Sequence, residues 1–324
     1  MSNSSNLTGN LTGNRKLISV VTPCYNEELN VLDHFNQVTA AIEPFRKNYD
    51  FEHIYTDNCS VDRTFTVLSD LATKNPNVRV LRFSRNIGAT RAVLMGLERA
   101  AGDAIILIQA DLQDPPSMIP EFIKGWEEGN DVVYGKILNR QEGPIIRSCR
   151  KLYYKIVSQL SDVPIPENAG DFRLTSRRVL DAVLEYEEDE LYIRGAVAHV
   201  GYSQKPIPFV RQSRSKGRSS ASLPYLVSFA MNGLLSTTVV PIRAVILTGL
   251  ATAAVGFAMT SFFILGKIFF PALAPQGFTT LASLVTFFAG MQLLAIGIIG
   301  EYIRKIYVQT HYRPRGFIRD TINF

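Results

Sequence analysis

Residues 104–116 read AIILIQADLQDPP. Five consecutive apolar residues leave no polar face, so 104–108 is expected to be a strand buried on both sides, as in the middle of a parallel sheet. Upstream, 17–22 (LISVVT) is a short β-rich run that Pro23 should stop. Between and beyond these runs the pattern predicts helices over 28–47, 62–74, 89–101 and 118–128. It predicts further strands over 53–56, 78–83 and 131–134. Strand–helix alternation with short connections argues for an α/β fold with a mostly parallel sheet covered on both faces. Such sheets bind ligands beyond the carboxyl ends of their strands. That rule selects PCYNEE, DNCSVDRT and QADLQDPP, which follow the first, second and fourth strands.

Composition narrows the class. The 324 residues are 46% hydrophobic and 19% charged, which excludes a disordered, collagen-like or coiled-coil chain. Cys24, Cys59 and Cys149 are odd in number and never spaced C-x-x-C, so neither a disulfide framework nor a zinc site is expected. No G-x-G-x-x-G follows a strand, and neither Gly135–Lys136 nor Gly266–Lys267 sits in a P-loop pattern. The strand ends offer acids instead: Asp57 and Asp62 after the second strand, Asp111 and Asp114 after the fourth. Asp111, with the amide oxygens of Gln109 or Gln113, offers hard ligands for Mg²⁺ or Mn²⁺, and an ion there would bridge a diphosphate. Each acid cluster alone is ordinary turn chemistry. Three polar ends on one sheet edge together point to a site.

The apolar content gathers near the C-terminus. Residues 244–265 and 278–300 contain no charge. As helices rising about 1.5 Å per residue, each reaches roughly 33–35 Å, enough for a hydrocarbon core of about 30 Å. Arg211, Arg214, Lys216, Arg218 and Arg243 precede the pair, and Arg304, Lys305, Arg313 and Arg315 follow it, while the connector carries only Lys267. Positive flanks place both sides in the cytoplasm. The expected organisation is a disordered tail (1–15), a catalytic domain (16–210), a basic juxtamembrane segment (211–243), two spans and a cytoplasmic tail (301–324) in a plasma-membrane protein. No secretory signal is expected, since 1–14 has no apolar core.

Taken together, VVTPCYNEE (20–28), DNCSVDRT (57–64), FSRNIGATRA (83–92), QADLQDPP (109–116), GDFRL (170–174) and GEYIRKIY (300–307) resemble family 2 glycosyltransferases. The branch they resemble moves a sugar from a nucleotide to a polyprenyl phosphate, as bactoprenol glucosyltransferases and dolichol-phosphate mannosyltransferases do. The resemblance implies a GT-A fold, a Mg²⁺ or Mn²⁺ cofactor on Asp111 and Gln113, and inversion at the sugar. It further implies donor contacts from Pro23, Tyr25, Glu27, Asp57, Asn86 and Asp111, catalytic roles for Asp171 and Asp111, and an acceptor phosphate held by Lys136, Arg147, Arg150, Arg173 and Arg214. Three positions depart from the family pattern: Gln109 replaces the first acid of D-A-D-L-Q, Asn58 the second of D-D-G-S, and Ser220 the lysine of G-x-S-K.

The donor by resemblance is UDP-glucose, with GDP-mannose as the alternative; a non-catalytic sugar-nucleotide sensor on the membrane is the more distant one. Asp171 could orient the acceptor, contact the sugar, act as a base, or merely cap a helix over 174–184. A processive polysaccharide synthase is excluded because its Q-x-x-R-W motif is absent: the one tryptophan, Trp126, follows Gly125. No nucleic-acid partner is expected, and a homo-oligomer is left open.

Overall fold

The structure, a computed structural model, describes residues 15–139, 166, 168–186, 188, 191–211, 277–310 and 314–324, with scattered positions between 245 and 269. They fall into two units: residues up to 211 together with 314–324, and the helical positions from 245 to 310.

The first unit is an eight-stranded sheet. Its strands are β1 (Lys16–Cys24), β2 (Tyr49–Asp57), β3 (Val78–Phe83), β4 (Ala104–Leu107), β5 (Val132–Asn139), β6 (Ala169–Ser176), β7 (Gln204–Val210) and β8 (Ile318–Ile322), in the order β7-β5-β6-β4-β1-β2-β3-β8. The central run β4-β1-β2-β3 is parallel; β6 and β8 add antiparallel on either side, and β5 and β7 pair parallel. Helices α1 (Val31–Ile42), α2 (Thr64–Lys74), α3 (Ala89–Arg99) and α4 (Ile119–Glu127) are the crossovers, followed by α5 (Arg177–Leu184) and α6 (Ile193–Val200).

The apolar run at 104–108 is buried throughout and divides its side chains between two cores. Ile106 and Ile108 join Val38, Phe122 and Phe172; Ile105 and Leu107 join Val21, Val93 and Leu97. This alternation is the period-2 geometry of a strand with helices on both faces. At Gly96 in α3 a Cβ would lie 2.8 Å from Thr56 and Val21, so the helix reaches the sheet only because that position has none.

Four expectations change. Pro23 does not stop β1: the strand continues to Cys24, pairing with Asp57 of β2. The β4 register has ended at Val21, so the missing proline N–H interrupts little. GDFRL is a strand, not a helix approach; Asp171 lies within β6, and α5 begins only at Arg177, which rules out the cap reading. The helix expected over 278–300 runs on as α7 (Phe278–Thr310), its polar end carrying an Arg304–Glu301 pair one turn apart. The expected C-terminal tail returns to the sheet as β8.

In the second unit, α7 is the one helix among the described residues long and apolar enough to cross a membrane. Its window Phe287–Arg304 has a mean hydropathy of 1.3 and none of it is buried. The described positions of the expected first span are helical, and the rest of that span lies outside the described residues.

Behind β1 and β2, His34 and His53 are buried. His34 Nδ1 is 3.4 Å from the Tyr55 hydroxyl, and His53 Nε2 is 3.0 Å from Thr22 Oγ1. Burial lowers the His34 pKa to about 3 and pushes His53 well below its ordinary value. Both are neutral in the fold, whereas the unfolded chain takes up protons near pH 6.5. Their contribution is therefore complete above that pH and is lost as pH falls, each at up to about 1.4 kcal/mol per pH unit. The melting temperature of His34→Leu should accordingly fall less than that of wild type between pH 7 and pH 5. Parallel curves would show that His34 does not set this slope.

Candidate functional site

The carboxyl ends of β1, β2, β3 and β4 form one edge. After β1, Tyr25 is exposed, Asn26 takes a left-handed backbone (φ 56°), and Glu27 turns inward to accept from Asn30 Nδ2 at 2.7 Å. Pro23 lies buried in β1 itself. The loop after β2 is tied to this turn: Asn26 N–H donates to Ser60 Oγ (3.0 Å), Val61 N–H to Asn26 Oδ1 (3.0 Å) and Glu27 N–H to Thr64 Oγ1 (2.8 Å). Asp62 accepts from the Thr64 N–H at the start of α2 and from the Glu28 N–H, so its role is structural.

Asp57 ends β2 and is fully buried. Its Oδ1 accepts the Ser60 N–H (3.2 Å), while Oδ2 lies 3.5 Å from Arg82 Nε with no hydrogen bond completed. Burial raises its pKa, and the Ser60 contacts and Arg82 oppose the rise. The neighbouring Asn58, which stands where the family pattern has an acid, latches the loop after β3. Its Oδ1 accepts the Ile87 N–H at 2.8 Å and its Nδ2 donates to Asn86 Oδ1 at 3.1 Å. Asn86 is held by that bond and by the Gly88 N–H (2.9 Å), and it remains exposed.

Beyond β4, Leu112 adopts φ 58°, and the half-exposed Asp111 accepts the Gln113 N–H through Oδ1 at 3.1 Å. Asp114 is buried against Arg211, whose Nε is 3.2 Å from Oδ1. Burial raises Asp114 to about 6; Arg211 counters this, and Asp111 and Asp171 add to it. From the other side, the β4–β6 register ends with Leu107 opposite Arg173, and Asp171 lies two residues further along β6, past the end of β4. Asp171 is gripped at both oxygens by Arg194 of α6: Nε to Oδ1 at 2.7 Å and a terminal nitrogen to Oδ2 at 2.9 Å. Desolvation alone would raise Asp171, yet Arg194, with Arg173 and Arg211 behind it, holds the carboxyl well below the usual range. Arg173 is itself buried, donating to the Gly170 carbonyl at 2.9 Å, and burial lowers its pKa to about 10.

One edge thus gathers Pro23, Tyr25, Glu27, Asp57, Asn86, Asp111 and Gln113, with Asp171 and Arg173 arriving on β6. Lys136 is exposed on β5, paired with Ala169 two residues before Asp171. Arg147, Arg150 and Arg214 lie outside the described residues. Among the described residues no group of three His, Cys, Asp or Glu side chains forms a metal cage. The donors on Asp111 and Gln113 nevertheless suit a divalent ion that takes the rest of its shell from a diphosphate. No spacing in the sequence links Asp114 to Arg211; only the fold joins them.

Residues 19–184 match the family model described as glycosyl transferase family 2. The chain is 34% identical over 304 residues to an uncharacterized glycosyltransferase of Synechocystis sp., covering 94% of this chain and 95% of that protein. It is 35% identical over 303 residues to the prophage bactoprenol glucosyl transferase homolog of Escherichia coli (93% and 98% covered). It is 34% identical over 304 residues to the bactoprenol glucosyl transferase of Shigella phage SfV (94% and 98% covered). The chain belongs to glycosyl transferase family 2.

Open α/β sheets bind ligands beyond the carboxyl ends of their strands, and in this chain that is the edge just described. The Asp171–Arg194 pair then makes a specific demand. Arg194→Ala removes the charge that keeps Asp171 ionised, so the carboxyl should protonate at higher pH. The acid limb of kcat/KM is expected to move up the pH scale and turnover to fall at least about tenfold, with Arg194→Lys recovering part of both. An unmoved limb in Arg194→Ala would mean that Asp171 does not titrate in the rate-determining complex.

Proposed function

We propose that the protein transfers one hexose, glucose carried on UDP-glucose, with inversion to a polyprenyl phosphate at the cytoplasmic face of the membrane. The observation that carries this reading is the Asp171–Arg194 grip. A hydroxyl acceptor requires a general base whose pKa lies near the working pH. Here the carboxylate at the reacting edge is held far below that range. A phosphate monoester, with a second pKa of about 6, arrives already ionised and needs no base. The names of the similar phage and Escherichia coli proteins, which carry bactoprenol as acceptor and glucose as sugar, support the same choice.

In this mechanism Tyr25, Asn86 and the Asp57 floor receive the nucleotide, and Asp111 and Gln113 are the residues that would hold a divalent ion. Bound there, such an ion would supply stabilisation of the negative charge on the departing diphosphate. A phosphate oxygen of the lipid attacks the anomeric carbon opposite the leaving nucleotide; the new C–O bond forms as the bond to the diphosphate breaks. Lys136, Arg173, Arg194 and Arg211 offset the charge of the incoming headgroup, Arg194 being aimed by Asp171. Arg147, Arg150 and Arg214 join them in this proposal.

Connectivity supports the proposed membrane topology. The strands before residue 211 and β8 after 314 belong to one sheet. If α7 crosses the bilayer, the chain between these strands must cross an even number of times, which supports a second span over 244–265. Positive residues flank both ends on the cytoplasmic side.

Incubating membranes that contain the protein with radiolabelled UDP-glucose, UDP-N-acetylglucosamine or GDP-mannose plus undecaprenyl phosphate should make the glucose label lipid-extractable. Label only from GDP-mannose would replace the sugar, and no extractable label would overturn the acceptor. Asp111→Ala should abolish the Mg²⁺ dependence of nucleotide binding; equal affinity with and without Mg²⁺ in wild type would remove Asp111 and Gln113 as ligands. Asp171→Asn should lower turnover at least about tenfold while nucleotide affinity changes little.

A further inference from the structure

The last residues of the chain are built into the donor edge. Ile322 pairs with Val80, Thr321 with Leu81, Asp320 with Arg82 and Ile318 with Phe83. Ahead of the strand, the Phe317 carbonyl accepts the Ser84 N–H at 2.9 Å, and Gly316 lies under Ile87, where a Cβ would stand 2.8 Å from the isoleucine. Both contacts fall on the loop 84–88 that presents Asn86. Behind the strand, Asn323 Nδ2 donates to the Ala72 and Val78 carbonyls, each at 2.8 Å. Arg315 pairs with Glu98 and donates to the Tyr186 and Glu188 carbonyls. Ten residues this thoroughly anchored are part of the domain.

One side chain carries the connection inward. Arg82 stacks over Phe65, its guanidinium carbon 4.2 Å from the ring centre, and stands between two carboxylates. Its Nε is 3.5 Å from Asp57 Oδ2, and a terminal nitrogen is 3.7 Å from Asp320 Oδ2. Asp57 Oδ2 and Arg82 Nε are both buried without a hydrogen bond, so their relative placement depends on what holds the guanidinium from its other side. That group is Asp320, a partly exposed carboxylate on β8.

We propose that β8 is a positioning element of the donor pocket. Asp320 sets Arg82, Arg82 sets Asp57, and Gly316 with Phe317 fixes the loop that carries Asn86. Nucleotide affinity therefore depends on a strand that follows the apolar helix directly in sequence. The inference rests on reading Asp57 and Asn86 as donor-site residues, and the experiment separates the two.

UDP and GDP binding to the full-length protein in detergent, with Mg²⁺ and no lipid acceptor, is measured for wild type, Asp57→Asn, Asp320→Asn, Arg82→Gln and the Arg82→Gln/Asp320→Asn double variant. Asp320→Asn should weaken the preferred nucleotide by about three- to tenfold, and the double variant should bind no worse than Arg82→Gln alone, because both changes break one chain of contacts. In turnover assays Asp320→Asn should raise the donor KM by the same factor with kcat and melting temperature nearly unchanged, a split that a general loss of structure does not produce. If Asp57→Asn weakens binding while Asp320→Asn has no effect, or adds fully to Arg82→Gln, the positioning role of β8 is overturned and the donor site stands. If Asp57→Asn itself binds as wild type, the donor reading of Asp57 fails and the inference falls with it.

Discussion

Three carboxylates, Asp111, Asp114 and Asp171, meet where β4 ends, close enough that Asp111 and Asp171 each raise the pKa of Asp114. Their mutual repulsion is offset by Arg173, Arg194 and Arg211, brought from β6, α6 and the end of β7. The geometry of the site depends on this balance. Remove an arginine and a buried or half-buried carboxylate is left to protonate or to drive the loop outward. Arginine is the side chain that can do this work at Arg173: burial brings it down only to about 10, so it keeps its charge at neutral pH. A lysine starts near 10.4 and, in the same position, would approach neutrality. Two of the three acids are committed to arginines. Asp111 keeps the more open position, which suits the divalent ion proposed there.

The centre of the fold was legible because its strands are buried on both faces. AIILI and LISVVT admit few other readings, and the spacing of the helices between them predicts parallel crossovers. The periphery was not legible, for reasons local to each strand. AGDFRLTS mixes a glycine, an acid and an arginine, since one side of β6 lines the site and cannot be apolar. QKPIPFV contains two prolines, which a central strand would exclude and which β7 tolerates at the edge. IRDTI is five residues long, carries two charges and is half exposed; only its partner β3, far upstream, distinguishes it from a tail. The same logic applies to the site. Strand-end acids could be found from their place after apolar runs, whereas the arginines that neutralise them are set by tertiary contact. Asp57 shows the limit on the acid side: its place at the end of the second strand follows from the sequence, whereas its full burial and its contacts with Ser60 and Arg82 come only from the fold.

β8 also constrains how the membrane part can be connected. A sheet tolerates no gap in its pairing, so the residues that follow α7 must come back to the side where β3 lies. Two consequences share this cause. The number of crossings between the strands is even wherever α7 crosses, and under the proposed positioning role the donor edge is complete only when β8 has paired with β3. A strand of this kind is short, twisted at the Arg82/Phe83 irregularity and charged, features that keep a sheet edge from pairing with another molecule. The charge that protects the edge, Asp320, is also the one that faces Arg82, so edge protection and site geometry draw on one residue.

The acceptor chemistry can be argued from what the site lacks as a base. Asp171 is tied at both oxygens, and a carboxylate so stabilised accepts a proton weakly. Asp114, at about 6, has a more suitable pKa, but it is buried and paired with Arg211. An alcohol nucleophile would therefore approach a site where the available carboxylates favour remaining as they are. A phosphate monoester reverses each term: it carries its charge in, requires no proton removal, and finds guanidinium groups already desolvated and oriented. In the proposed complex its oxygens would compete with Asp171 and Asp114 for the same arginines, so binding would exchange one set of charge-assisted hydrogen bonds for another without first baring a cation. That exchange is inexpensive only for an anion with several oxygens. In the proposed reaction, the pairing of acids with arginines at the end of β4 favours an ionised headgroup over a sugar hydroxyl before any lipid tail is considered.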